Sequence, residues 1–202
     1  MVGAEVARRL GVRVLEGDLV ASIAERLGVP VQEVAGHEQC LASALWSLRY
    51  LSSVSGGTAY LFGPLDDDRA YRAAADASIR ELAAGGGVFV EHGAAIVLKD
   101  RPDALHVRLE GPPELRIRQI GELVGLDART ARHRQRQIDH LHGSYVRHYY
   151  HTDVADPRHY DIVLDATSLP LATCVEIIVA GARHLADLAG AGLVVHRLRQ
   201  AG

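Results

Sequence analysis

Apolar residues recur along this chain in two rhythms. At Val2, Val6 and Leu10 they fall four apart, the spacing of one face of a helix. VRVL (12–15) then reads as a short buried strand, and LVASIAERL as a helix that Asp18 can cap and Gly28 ends. A third helical stretch covers about 37–51, with Leu45, Trp46 and Leu48. SSVSGGTAYLFGPL (52–65) is a glycine-containing loop. Asp66, Asp67 and Asp68 open a helix that runs to Ala84; carboxylates suit a helix N-terminus, so the triplet reads as a start signal first and a metal site second. GGG (85–87) ends it. VFVE (88–91) is an apolar strand closed by Glu91, HGAAIVLKD a short helix, and ALHVRLEG (104–111) a further strand. Pro112 and Pro113 start the helix ELRIRQIGELVG. YDIVLD (160–165) is the next strand and 171–189 the closing helix, with no assignment for 192–202. Strands alternating with helices predict an α/β domain with a parallel sheet and right-handed crossovers. Ligands in such sheets bind at the carboxyl ends of the strands, which here carry Glu16, Glu91, His92, Glu110 and Asp165.

The most distinctive stretch is 127–151, DARTARHRQRQIDHLHGSYVRHYYH. On a helical wheel Arg129, Arg132, Arg136, Asp139, Gly143 and Arg147 form one stripe roughly 80° wide. Ile138, Leu141, Tyr145 and Tyr149 lie opposite. One amphipathic helix thus offers a cationic face with a single carboxylate and an apolar face that can dock on a core. Convergent guanidiniums suit a polyphosphate, because each fork can hydrogen-bond two oxygens. A solvated surface helix has the same pattern.

Composition narrows the function. The 202 residues fit one domain, 48% of them are apolar and the net charge is −3, whereas a general nucleic-acid binder would be more basic. No nucleic-acid or membrane partner is expected, and no apolar run is long enough to span a bilayer. Cys40 and Cys174 have no metal spacing and read as small buried hydrophobes. With no secretory signal, a reducing cytoplasm is expected. Lys99 is the only lysine. His133, His140, His142, His148, His151 and His159 crowd one region, but nothing completes a ligand set, and no metal site is expected. No G-x-S-x-G elbow occurs.

From about residue 71 the order of motifs resembles the cytidylate kinase-like family of P-loop nucleoside monophosphate kinases. The matching pieces are YRAAADASIRELAAGGGVFVEHGAAIVLKDRPDALHVRLEGPPELRIRQI, then QIDHLHGSYVRHYY, then DPRHYDIVLDATSLPLATCVEIIVAG; the opening helix and strand also fit, with 30–70 the weakest part. The resemblance implies a three-layer P-loop kinase-like fold over 1–202, a parallel sheet, a helical lid at 127–151 and an acceptor-binding segment within 37–84. It also implies transfer of the γ-phosphoryl group of ATP, with Mg2+, to a nucleoside monophosphate or related small acceptor. Arg132, Arg136 and Asp139 would then be catalytic, and His92, His142, Arg147 and Asp165, followed by Thr167 and Ser168, would bind substrate.

The resemblance is incomplete. The family has a strand and a glycine-rich phosphate loop before the first helix; this sequence starts just inside that helix, so Val2 and Gly3 would be all that remains of the cofactor site, and the middle of the sheet would have a gap. Such a loop cradles phosphate with its backbone N–H groups. After the third strand the family shows Gly-Arg where this chain has Glu91-His92, and on the lid an arginine where it has His142. Histidine is mostly neutral at pH 7 and makes one bond where arginine makes two. The expectation is a phosphotransferase in a short form with little or no activity; the alternative is a degenerate relative that binds a nucleotide or a partner protein without catalysis. For Asp139 a salt-bridge role, and for Asp165 a turn-capping role, stand beside the functional ones.

Overall fold

The computed structural model describes residues 2–40, 67–90, 92–189 and 194–198; for 36, 38–40, 188–189 and 194–198 it describes the backbone alone. The expectations for Asp66, Glu91, the loop 52–65 and the stretch 41–51 lie outside these residues, as does the side chain of Cys40.

Helix α1 (Val2–Leu10) buries Val2, Gly3, Val6 and Ala7 and turns Glu5 outward to Arg8 and Arg9. Helix α2 (Glu16–Leu27) buries Leu19, Ile23 and Ala24 and ends on Gly28 in the left-handed conformation. It starts before Asp18, and no side chain caps it; Asp18 lies inside the first turn, 3.2 Å from Arg13. A carboxylate there favours the helix N-terminus without being its cap. Helix α3 spans Val31–Cys40, earlier than the sequence predicts. Helix α4 (Asp68–Ala84) is capped by Asp67, whose carboxylate accepts from the N–H groups of Arg69 and Ala70. After it come β1 (Gly87–Val90), the short α5 (Ala94–Val97), β2 (Ala104–Glu110), α6 (Pro113–Val124) and α7 (Ala128–Tyr150). A 3-10 turn at Pro157–His159, β3 (Ile162–Asp165), α8 (Leu171–Ala189) and β4 (Val194–Leu198) complete the described chain.

The four strands pair in parallel in the order β1-β4-β2-β3. The strand expected at 12–15 is reduced to a single parallel bridge, Val14 to Val88, on the free side of β1. Two hydrogen bonds make it, Leu15 N–H to Val88 O and Val88 N–H to Arg13 O. The middle of the sheet has no gap: β4 fills it, with Val90 opposite Arg197 on one side and Arg108 opposite Leu198 on the other.

Alternation along the strands divides the core into two layers. Val88, Val90, Leu105, Val107 and Leu109 face α1 and α8, where Val6, Cys174 and Ile178 close the packing. Phe89 and Ala104 face α2, α3, α4, α5 and the tyrosines of α7. Each fully buried Ile, Leu or Phe in these layers contributes about 1.5–3 kcal/mol. No helix among the described residues is long and apolar enough to cross a membrane.

Candidate functional site

Helix α7 crosses the carboxyl edge of the sheet. Asp127 caps it, with Oδ1 accepting from the N–H groups of Arg129 (3.0 Å) and Thr130 (3.1 Å). Its buried face carries Ala131, Gln135, Tyr145, Val146 and Tyr149. The middle of the helix is bonded, through Arg116, to Gly111, the residue after β2. Its last turns reach the end of β1: Tyr145 meets the His92 ring edge-on at 6.0 Å, and a Cβ added to Gly93 would lie 2.4 Å from the Tyr150 ring. Tyr149 stacks on Tyr71 of α4 and its hydroxyl lies 2.8 Å from His37 Nε2 of α3.

The arginine stripe survives folding, but not as one uniform face. Arg129, Arg136 and Arg147 are exposed, and no carboxylate among the described residues pairs with them. Arg132 reaches Glu114 at the start of α6, 2.6 Å away. Asp139 sits at the edge of the stripe and turns inward, where Arg116 holds both its oxygens, at 3.0 and 2.9 Å. Gln135 Nε2 donates a third bond to Oδ1. Arg116 is 1% exposed and also donates Nε–H to Gly111 O. A bidentate pair of this kind, with its spare atoms satisfied, fixes one helix on another.

Asp165 ends β3 and closes the next turn. Its Oδ1 accepts from the Thr167 hydroxyl at 2.6 Å and from the N–H groups of Thr167 and Ser168. The Thr167 hydroxyl first, and then these amides, hold its carboxyl below the usual carboxylate range. His92 follows β1 with φ 59°, and Gly93 after it has φ 71°; a non-glycine residue in the left-handed region is uncommon. Val2 and Gly3 are buried under the α8 layer. Arg147 is exposed and His142 half-buried on α7. The fold thus brings His92, after β1, and Asp139, tied through Arg116 to the end of β2, to one edge of the sheet, with Asp165 at the end of neighbouring β3; Arg136 and His142 lie on the same helix as Asp139. Among the described residues, no group of three His, Cys, Asp or Glu could hold a metal ion.

The model of the cytidylate kinase-like family matches residues 1–168. The chain belongs to the cytidylate kinase-like family. It is also similar to the solved structure of an uncharacterized protein from Eubacterium ventriosum ATCC 27560, at 18% identity and TM-score 0.62 over 91% of this chain and 90% of that one. A likeness that distant shows the fold alone. No curated protein matches this chain.

In this member of the cytidylate kinase-like family, sequence reasoning missed Arg116. A signal was present. Arg116 stands beside Ile117 and four residues before Ile120, so the helical wheel puts it on the apolar side of ELRIRQIGELVG. An arginine at such a position needs a buried partner. Arg108 was missed as well: it is 4% exposed in β2 and donates to Val154 O at 2.6 Å and to Glu110 at 3.1 Å.

Proposed function

We propose that this chain is a phosphotransferase of the cytidylate kinase-like type, moving the γ-phosphoryl group of ATP to a nucleoside monophosphate or a related small acceptor. In this reading the fold is P-loop kinase-like and α7 is its lid. The observation that carries it is the course of α7 across the ends of β2 and β1, with the exposed guanidiniums of Arg136 and Arg147 on a helix anchored from beneath. An acceptor phosphate oxygen would attack the γ-phosphorus as the bond to the bridging oxygen breaks. Arg132 and Arg136 would neutralise charge on the phosphates in flight, and Arg147, His92 and His142 would hold the acceptor.

The side chains fit the phosphate end of a nucleotide, since forked donors match phosphate oxygens. Magnesium would supply further neutralisation of the phosphates, with Asp165 the residue at the strand ends to face it; its Oδ1 is committed to the turn and its Oδ2 accepts no bond from the described residues. Histidine at 92 and 142, with one hydrogen bond to offer where an arginine fork offers two, makes the grip weak and favours a second reading, a non-catalytic relative that binds a nucleotide or a partner protein.

Calorimetry with ATP and a panel of monophosphates, beside a turnover assay with magnesium, tests both. Arg136→Ala should lose about 10- to 100-fold in nucleotide affinity, the worth of a charge-assisted pair of hydrogen bonds, and the loss should shrink as salt rises. Turnover, however slow, supports the transferase; binding without turnover supports the second reading. No nucleotide binding at all refutes the transferase and the nucleotide-binding form of the second reading, and leaves only a protein partner.

A further inference from the structure

We propose that Arg116 is a positioning residue whose task is electrostatic: it holds Asp139 away from the arginine face of α7, so that Arg136 is left to a phosphate and not to a carboxylate of its own helix. The proposal rests on the phosphate-binding reading of α7.

Asp139 lies three residues after Arg136, which makes it the neighbour of that arginine on the helix surface. An unrestrained carboxylate there would pair with Arg136 and compete with any bound anion. The structure removes it from that contest. Arg116 comes from α6, is 1% exposed, and takes both oxygens of Asp139, while Gln135 takes a further lone pair on Oδ1. Asp139 makes no bond to any arginine of its own helix. The third donor of Arg116 is spent on Gly111 O, so the guanidinium is itself fixed at the end of β2. The result is asymmetric: buried Arg116 carries the Asp139 carboxylate, and exposed Arg136 and Arg147 are left to the ligand.

A purely structural clamp and this electrostatic role predict different results in a double variant. Inorganic tripolyphosphate is the probe, because it needs only the cationic face, and ATP is titrated in parallel. Arg116→Met should weaken tripolyphosphate binding about tenfold, as the freed carboxylate competes for Arg136 close to the anion. Arg116→Met combined with Asp139→Asn should bring affinity back to within about threefold of the parent, although the clamp is absent in both variants. Circular dichroism and thermal melting establish that each variant is folded. If Arg116→Met does not fold, Arg116→Lys, which keeps the charge with a single point of attachment, should weaken binding by less than tenfold, and adding Asp139→Asn to it should restore affinity to within about threefold of the parent. A double variant as weak as the single one overturns the proposal in favour of a clamp, and so does a parent chain that binds no tripolyphosphate. Tripolyphosphate binding with this pattern, but no ATP binding, sustains the role of Arg116 and refutes the nucleotide reading.

Discussion

Three strongly hydrated side chains, His106, Arg108 and Arg116, are buried in and just after β2, and they meet the cost of burial in two ways. The arginines are hydrogen-bonded to acceptors: Arg108 to Val154 O and Glu110, with the Tyr160 ring 5.8 Å beneath it, and Arg116 to Asp139 and Gly111. Histidine can release its proton instead. Burial is the largest influence on His106 and pushes its pKa down, against the opposing pull of Asp161 and a hydrogen bond to the backbone of Leu98. The folded chain therefore binds fewer protons at this site than the unfolded chain. Stability from His106 is complete above the unfolded value, near 6.5, and is lost as pH falls from there through the lower folded value. Urea melts at pH 7.5 and pH 5 should show a steeper acid loss for the parent than for His106→Gln; equal slopes would remove His106 from the account. Gly93 makes a second case at this scale. Its φ is 71°, and a Cβ would meet the Tyr150 ring at 2.4 Å. Gly93→Ala should cost about 2–4 kcal/mol from backbone strain and overpacking together, measured by denaturant melts.

Among the elements, α7 was the most legible in the sequence and α2 among the least. The expected helix at 127–151 is found at Ala128–Tyr150 with Asp127 as its cap, because its periodicity and its capping residue are both local signals. Asp127→Ala should fray the start of the helix, detectable as faster hydrogen exchange in its first turns. In α2 the same kind of residue misled: Asp18 satisfies a cap rule by type, but the chain turns into the helix two residues earlier, and Asp18 bonds to Arg13. The inward turn of Asp139 was legible only as an alternative. The wheel places it at the rim of the arginine stripe, and what decides its direction is Arg116, 23 residues earlier on another helix.

For the molecule as a whole, the alternation of strands and helices identified the parallel sheet and the ends where His92 and Asp165 lie. It did not identify the central strand. VVHRL follows α8 with no pattern that separates a strand from a frayed tail, and its partners at 87–90 and 104–108 are remote in sequence. Since β1 and β2 each pair with β4 and not with one another, the sheet depends on it. A chain ending at Ala189 should melt at a lower temperature and over a broader range than the full chain; an unchanged melt would mean that β4 contributes nothing to the sheet.

That arrangement also sets an order in time. β2 is complete at Glu110, yet the strand that joins it to β1 begins at Val194. At about 5–20 residues per second, a ribosome leaves the two halves of the sheet apart for several seconds, with unpaired strand edges facing each other across an empty lane. The protein is therefore most open to proteases and to wrong partners while it is still being made, and its sheet closes only after nearly all of its helices have left the ribosome.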